Sequence, residues 1–169
     1  VAKKGQSNPW KGGNYAQEAV KAFMGDSRAF FVDLGGGNTS QANNRVKTVS
    51  FVDNQTILAK YYSAADMLLY PSIADNCPLV VLEAMACGLP VVAFKTGGIP
   101  ELAEHKISGY IAEYKNADDL ETGIKYLLDL PPQEMEKMRQ YSINKIRSSF
   151  TLDLMVDKYL QLYDQILAK

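Results

Sequence analysis

Strand-length apolar blocks alternate with segments of helical period along most of this chain, and that alternation leaves few architectures open to it. Tyr15, Ala16, Ala19, Val20 and Phe23 recur at helical spacing, and the run Ala29 to Leu34 then reads as a short buried strand. Arg45 to Phe51 alternates with β-branched residues and reads as a strand, and Gln55 to Ala65 returns to helical spacing. Further strands are expected at Met67 to Ser72, Pro90 to Phe94 and Ser108 to Tyr114, with helices at Leu79 to Gly88 and Asn116 to Leu130. A chain written this way builds βαβ units, so the expected fold is α/β, a Rossmann-like and mostly parallel sheet with helices on both faces.

The last forty or so residues change character. Pro131 and Pro132 open a helical run to Phe150, and Thr151 is placed to cap a final helix ending near Ala168. Residues 131–169 are thus a helical extension of a single domain spanning 1–169. In the final helix Leu152, Met155, Tyr159, Leu162 or Tyr163, and Ile166 form one apolar stripe. Ordinary amphipathicity expects it to dock on the same domain; the alternative is a docking face for a neighbouring one.

Composition narrows the function. With 18 Lys+Arg against 19 Asp+Glu the chain lacks the basic excess that binding a phosphate backbone requires, so nucleic acid is not an expected partner. Hydrophobic residues at 47% and charged residues at 22% exclude disorder throughout. Cys77 and Cys87 match neither a redox pair nor zinc-ligand spacing, which fits a reduced, cytoplasmic compartment. No window approaches the roughly 18 to 20 apolar residues of a membrane span, and the N-terminus has no apolar signal core. Val1 stands where a Met would begin a chain, and the sequence opens on a glycine-containing loop, so it reads as a piece of a longer protein.

The chemistry concentrates between Tyr70 and Gly98. LVVLEAMAC reads as a helix buried on nearly every side, yet it carries Glu83, and a carboxylate there is costly unless paired or facing a cleft. Asp75 lies eight residues earlier, in the loop leaving a strand, and ligands of open parallel sheets bind at such carboxyl ends. A carboxylate can hold two vicinal hydroxyls, which suits Glu83 to a ribose or sugar diol. Between the acids, the backbone N–H groups of Leu79 and Val80 begin a helix and favour a phosphate, with Pro78 at the first helical position. Diol, phosphate, diol outlines a nucleotide sugar. A capping acid at Asp75 and a buried ion pair at Glu83 remain the structural alternatives.

The order SxxDx7EAMACGxPVVA, followed by Gly97, Gly98, Pro100 and Glu101, resembles the donor-binding C-terminal domain of glycosyltransferase family 4. That family has the GT-B architecture, two Rossmann-like domains facing a cleft. The resemblance implies a retaining transferase that moves a sugar from a nucleoside diphosphate sugar to an acceptor hydroxyl, with no metal or other cofactor. Glu83 is implied to bind the ribose and Asp75, where the family has Glu, to contact hydroxyls of the transferred sugar. The Asp75-Asn76 pair is similar to a subgroup acting on cell-surface polysaccharides, whose members work in the cytoplasm, at or near the inner membrane surface. Pro78 replaces a family glycine, which leaves Leu79 and Val80 as the phosphate donors.

Lys11 matches the lysine that neutralises the donor diphosphate, and Lys4 is the candidate for a second basic residue. The nucleobase is implied to lie against Phe51 and Val52, with Ile57 over its other face, although a buried strand would make the first two plain core. Gly97 and Gly98 permit a tight turn near the cleft. The acceptor-binding domain is expected outside these residues, so the fragment is expected to bind donor without turning it over. Rival readings are a nucleotide-binding regulatory module and a sugar-nucleotide epimerase. The glycine-rich Asp33 to Asn38 is a weak phosphate signal, lone His105 reads as an inert surface residue, exposed Cys77 lacks a histidine to activate it, and Trp10 either shields the phosphate site or anchors its loop.

Overall fold

The computed structural model describes residues 9–35 and 44–168. Among the described residues five strands form: β1 (Phe31–Leu34), β2 (Val46–Val49), β3 (Leu68–Tyr70), β4 (Val91–Phe94) and β5 (Gly109–Ala112). A 3-10 turn (Pro9–Lys11) leads into α1 (Gly13–Lys21), followed by α2 (Gln55–Ala64), α3 (Leu79–Ala86), α4 (Ile99–Leu102), α5 (Ala117–Leu128), α6 (Pro132–Ser149) and α7 (Leu152–Leu167). Every strand pair is parallel, as the alternation requires. Among the described residues, however, the strands divide into two sheets, β1-β2 and β3-β4-β5, where the periodicity suggests one. Periodicity reports each strand separately and carries no term for which edge it joins.

β4 shows how the core is built. Val91 and Ala93 face one apolar cluster, with Tyr62, Tyr70, Val81, Met85 and Ile146, and Val92 and Phe94 face the other, with Phe23, Tyr110, Ile124 and Met138. All four β4 residues are fully buried, so the strand carries no polar alternation. Burying them removes apolar area from water at roughly 25 cal/mol per Å².

Local signals set the helix ends. Asn54 caps α2 by accepting from the Ile57 N–H at 3.0 Å, and Thr151 caps α7 by accepting from the Leu154 N–H at 3.3 Å. Pro78 is the N-cap of α3 with extended backbone, one position before the first helical residue where the sequence suggests it. After the tight turn expected at Gly97 and Gly98 the chain closes into the one-turn helix α4, where Pro100 is tolerated in a first turn. Helix α6 docks where Glu104 accepts from Lys145 Nζ and Tyr141 Oη, both at 2.6 Å.

The final helix departs from expectation. No α7 residue is buried, and its stripe stands in solvent, from Leu152 at 69% exposed to Ile166 at 60%. Docking on its own domain fails because α7 follows Phe150 away from both core clusters, each of which α6 already closes. Among the described residues no helix is long and apolar enough to cross a membrane.

Candidate functional site

The site begins where β3 ends. After Tyr70 the chain turns through buried Pro71 and Ser72, and Ser72 Oγ donates to the Trp10 carbonyl at 3.0 Å while the Ile73 N–H donates to the same oxygen at 2.9 Å. These bonds strap the loop after β3 to the N-terminal turn, so Trp10 anchors the loop through its backbone with its indole 59% exposed. Gly12 makes this approach possible. Its φ is +67° and a Cβ there would lie 1.8 Å from the Pro71 carbonyl oxygen, so no side chain fits.

Lys11 is thereby held over the loop, and its Nζ lies 3.0 Å from Asp75 Oδ2 although 64 residues separate the two in sequence. Tyr70 Oη donates to the same oxygen at 2.6 Å, and the Cys77 N–H also donates to this carboxylate. Burial pushes the Asp75 carboxyl up, but the bonds from Tyr70 and Lys11, the Lys11 charge and the Cys77 N–H outweigh it and hold the group below the usual carboxylate range. Behind the acid, Gly97 has φ +50° and a Cβ there would fall 2.0 Å from the Asp75 carbonyl oxygen; the Gly98 N–H donates to that oxygen at 3.1 Å. The glycine pair therefore seats the backbone of Asp75 and Asn76, a tighter role than the expected permissive turn. An open cavity of about 490 Å³ lies against this loop, lined by Asp75, Asn76, Cys77, Thr96 and Gly97 among others.

Helix α3 carries the second acid. Val81, Ala84 and Met85 are buried, whereas Leu79, Glu83 and Ala86 form an exposed stripe. This corrects the reading of a helix buried nearly all round: Glu83 escapes the desolvation cost by facing outward. Among the described residues it makes no ion pair, which removes the buried-pair alternative, and its Oε2 accepts from the buried Tyr62 hydroxyl at 3.2 Å. Burial, then the neighbouring Glu83 charge, pushes the Tyr62 phenol well above its ordinary value. The first intrahelical bonds run from the Val81 and Leu82 N–H groups to the Pro78 carbonyl, which leaves the Leu79 and Val80 N–H groups ahead of them in the first turn.

The other candidates distribute as follows. Phe51 and Ile57 are 53% and 46% exposed and Val52 is half-buried, all beyond the end of β2; they are not the core residues a longer strand would have made them. Lys4 and the Gly36 to Asn38 part of the glycine-rich segment lie outside the described residues. His105 is exposed, with Nδ1 3.0 Å from the Ile111 carbonyl and its ring 4.6 Å from that of Tyr110, a structural role at the edge of β5. Both thiols are free; burial pushes that of Cys87 up, whereas Cys77 is exposed. Among the described residues no group of three His, Cys, Asp or Glu could hold a metal ion. Sequence reasoning missed Tyr62 and Tyr70: Tyr70 sits only five residues before its acid, but Tyr62 meets Glu83 across 21 residues with no local signal.

Two acids flanking a helix N-terminus, with a lysine drawn in from a distant turn, place the chain among α/β proteins that carry a polar cleft at the carboxyl ends of parallel strands. Residues 4–145 match the family of glycosyl transferases group 1, and the chain belongs to that family. It is 34% identical over 117 residues to an uncharacterized glycosyltransferase of Haemophilus influenzae, a match covering 64% of this chain and 33% of that one. A glycosyltransferase from Rickettsia africae superposes with a TM-score of 0.81 at 22% identity, covering 94% of this chain and 45% of the other. Anabaena HepE in complex with UDP-glucose superposes with a TM-score of 0.75 at 22% identity, covering 96% and 46%. These likenesses establish the GT-B type of α/β fold. The chain spans about a third of the length of the curated relative and under half of the solved ones.

Proposed function

We propose that this chain is the donor-binding half of a retaining glycosyltransferase that transfers a sugar from a nucleoside diphosphate sugar to an acceptor hydroxyl. The observation that carries the reading is the convergence of Lys11 on Asp75 beside the N-terminus of α3, with Glu83 on the outward stripe of the same helix. Glu83 takes the ribose diol, Asp75 the hydroxyls of the transferred sugar, and Lys11 with the Leu79 and Val80 N–H groups the diphosphate. Charge grows on the leaving diphosphate in the transition state, and the Lys11 ammonium with the N–H groups at the start of α3 would stabilise it there. Phe51 and Ile57 offer apolar surface for the base. The Asp75-Asn76 pair favours a cell-surface polysaccharide or glycoconjugate as product, built from the cytoplasmic side, and the other half of the enzyme supplies the acceptor site.

Calorimetry of the full-length protein against UDP-, GDP- and ADP-sugars tests the reading. One class binds, and it binds equally well with EDTA present. Lys11→Ala weakens every diphosphate ligand about ten-fold or more, yet changes stability by under about 1 kcal/mol, because a partly exposed ion pair contributes little. Glu83→Gln preserves an acceptor for Tyr62 and lowers affinity without moving the melting temperature. A large stability loss with unchanged binding would instead make these acids structural.

A further inference from the structure

Asp75 Oδ2 accepts from two donors of opposite character. Lys11 is a flexible cation on a partly exposed arm, its side chain 29% exposed, whereas the Tyr70 ring is 3% exposed and packed in the core cluster of β3, α3 and β4. If the donor reading holds, a diphosphate at the start of α3 carries more negative charge than Asp75 and competes for the same ammonium. Drawing Lys11 away would strip the half-buried carboxylate of its counter-ion at the moment it must meet a sugar. The Tyr70 hydroxyl cannot follow, because its ring is fixed by packing.

We propose that Tyr70 is a positioning residue: it keeps the Asp75 carboxylate in place when Lys11 turns to the diphosphate, and so supports recognition of the transferred sugar rather than of the nucleotide. This rests on the donor reading above. Among the described residues, Lys11 from the N-terminal turn, the Tyr70 hydroxyl from β3 and the Cys77 N–H from its own loop are the groups that face this carboxylate.

Tyr70→Phe in the full-length protein removes the hydroxyl and keeps the ring. Affinities for UDP and UDP-glucose, with GDP and GDP-mannose run beside them, are measured by calorimetry, and the Asp75 carboxyl carbon is titrated by NMR without ligand. The nucleoside diphosphate that binds should hold its affinity within about two-fold, while its sugar conjugate weakens about ten-fold, the scale of a hydrogen bond to a charged group. The carboxyl midpoint should move upward, because the lost donor favoured the ionised form. Equal weakening of both ligands, or of neither, overturns the positioning role. If the unaltered protein binds none of these pairs, nor ADP and ADP-glucose, the donor reading falls and this proposal falls with it; where a pair binds, the absence of a sugar-specific loss of affinity or an unmoved carboxyl midpoint in Tyr70→Phe overturns this proposal alone.

Discussion

Gly97 shows how narrowly single residues are constrained around Asp75. Its left-handed φ of +50° and the 2.0 Å approach of a would-be Cβ to the Asp75 carbonyl oxygen act together, so Gly97→Ala meets both backbone strain and a clash with main chain that cannot swing aside. The expected cost is about 2 to 3 kcal/mol, seen as a melting temperature lower by several degrees, and the displaced loop carries Asp75 away from Lys11. Donor binding falls with it. The two acids stand out in sequence as candidates because they lie eight residues apart around an apolar helix. The phenols beneath them do not, since a buried tyrosine looks like any core residue until the fold shows where its hydroxyl ends.

At the scale of elements, α6 is held by the packing of Met138, Ser142 and Ile146 and by an ion pair to Glu104. Hydrogen bonds from Lys145 and Tyr141, with the Lys145 charge, hold the Glu104 carboxyl below its ordinary value against a small opposing effect of burial. A depressed folded value means the unfolded chain takes up the proton first, so this contribution is present above about pH 4.3 and is lost as pH falls through the folded value. Asp26, held at about 2 chiefly by its hydrogen bonds with Arg28, has the same sign and extends the loss to lower pH. Glu104→Gln is therefore expected to lower the melting temperature at pH 7 and to match the unaltered protein more closely near pH 3. A constant gap across that range would show that lost packing, not charge, sets the effect. The elements themselves were legible from period and caps, as at Thr151, where Ser/Thr/Asn chemistry announces a helix start. Sheet partition was not, because hydrogen bonding between β1 and β2 or among β3, β4 and β5 depends on which edges meet in space.

For the whole molecule, α7 is the decisive element. Its stripe includes Met155 at 48%, Tyr159 at 53% and Ile166 at 60% exposed, with the Tyr159 and Tyr163 rings 6.2 Å apart, and no described α7 residue is buried. A contiguous apolar face of this kind is unusual on a free surface. The sequence offered two destinations for it, and the fold removes the first, docking on this domain. Under the proposed function, the second is the other half of the transferase, across the cleft that Asp75 and Glu83 border. Tyr159→Lys distinguishes the cases in the full-length protein. If α7 is buried against that half, inserting a charge costs about 2 to 4 kcal/mol, lowers the melting temperature by several degrees and exposes α7 to limited proteolysis. If the stripe instead pairs two copies of the enzyme, the same substitution converts a dimer to a monomer in sedimentation, with the protease pattern of the rest unchanged. A surface tyrosine in water would give neither result, since such substitutions stay within about 0.5 kcal/mol. Closure of the two halves around the donor would then depend on a helix that contributes none of the proposed donor-binding residues, and Tyr159→Lys should raise KM for the acceptor more than for the nucleotide sugar.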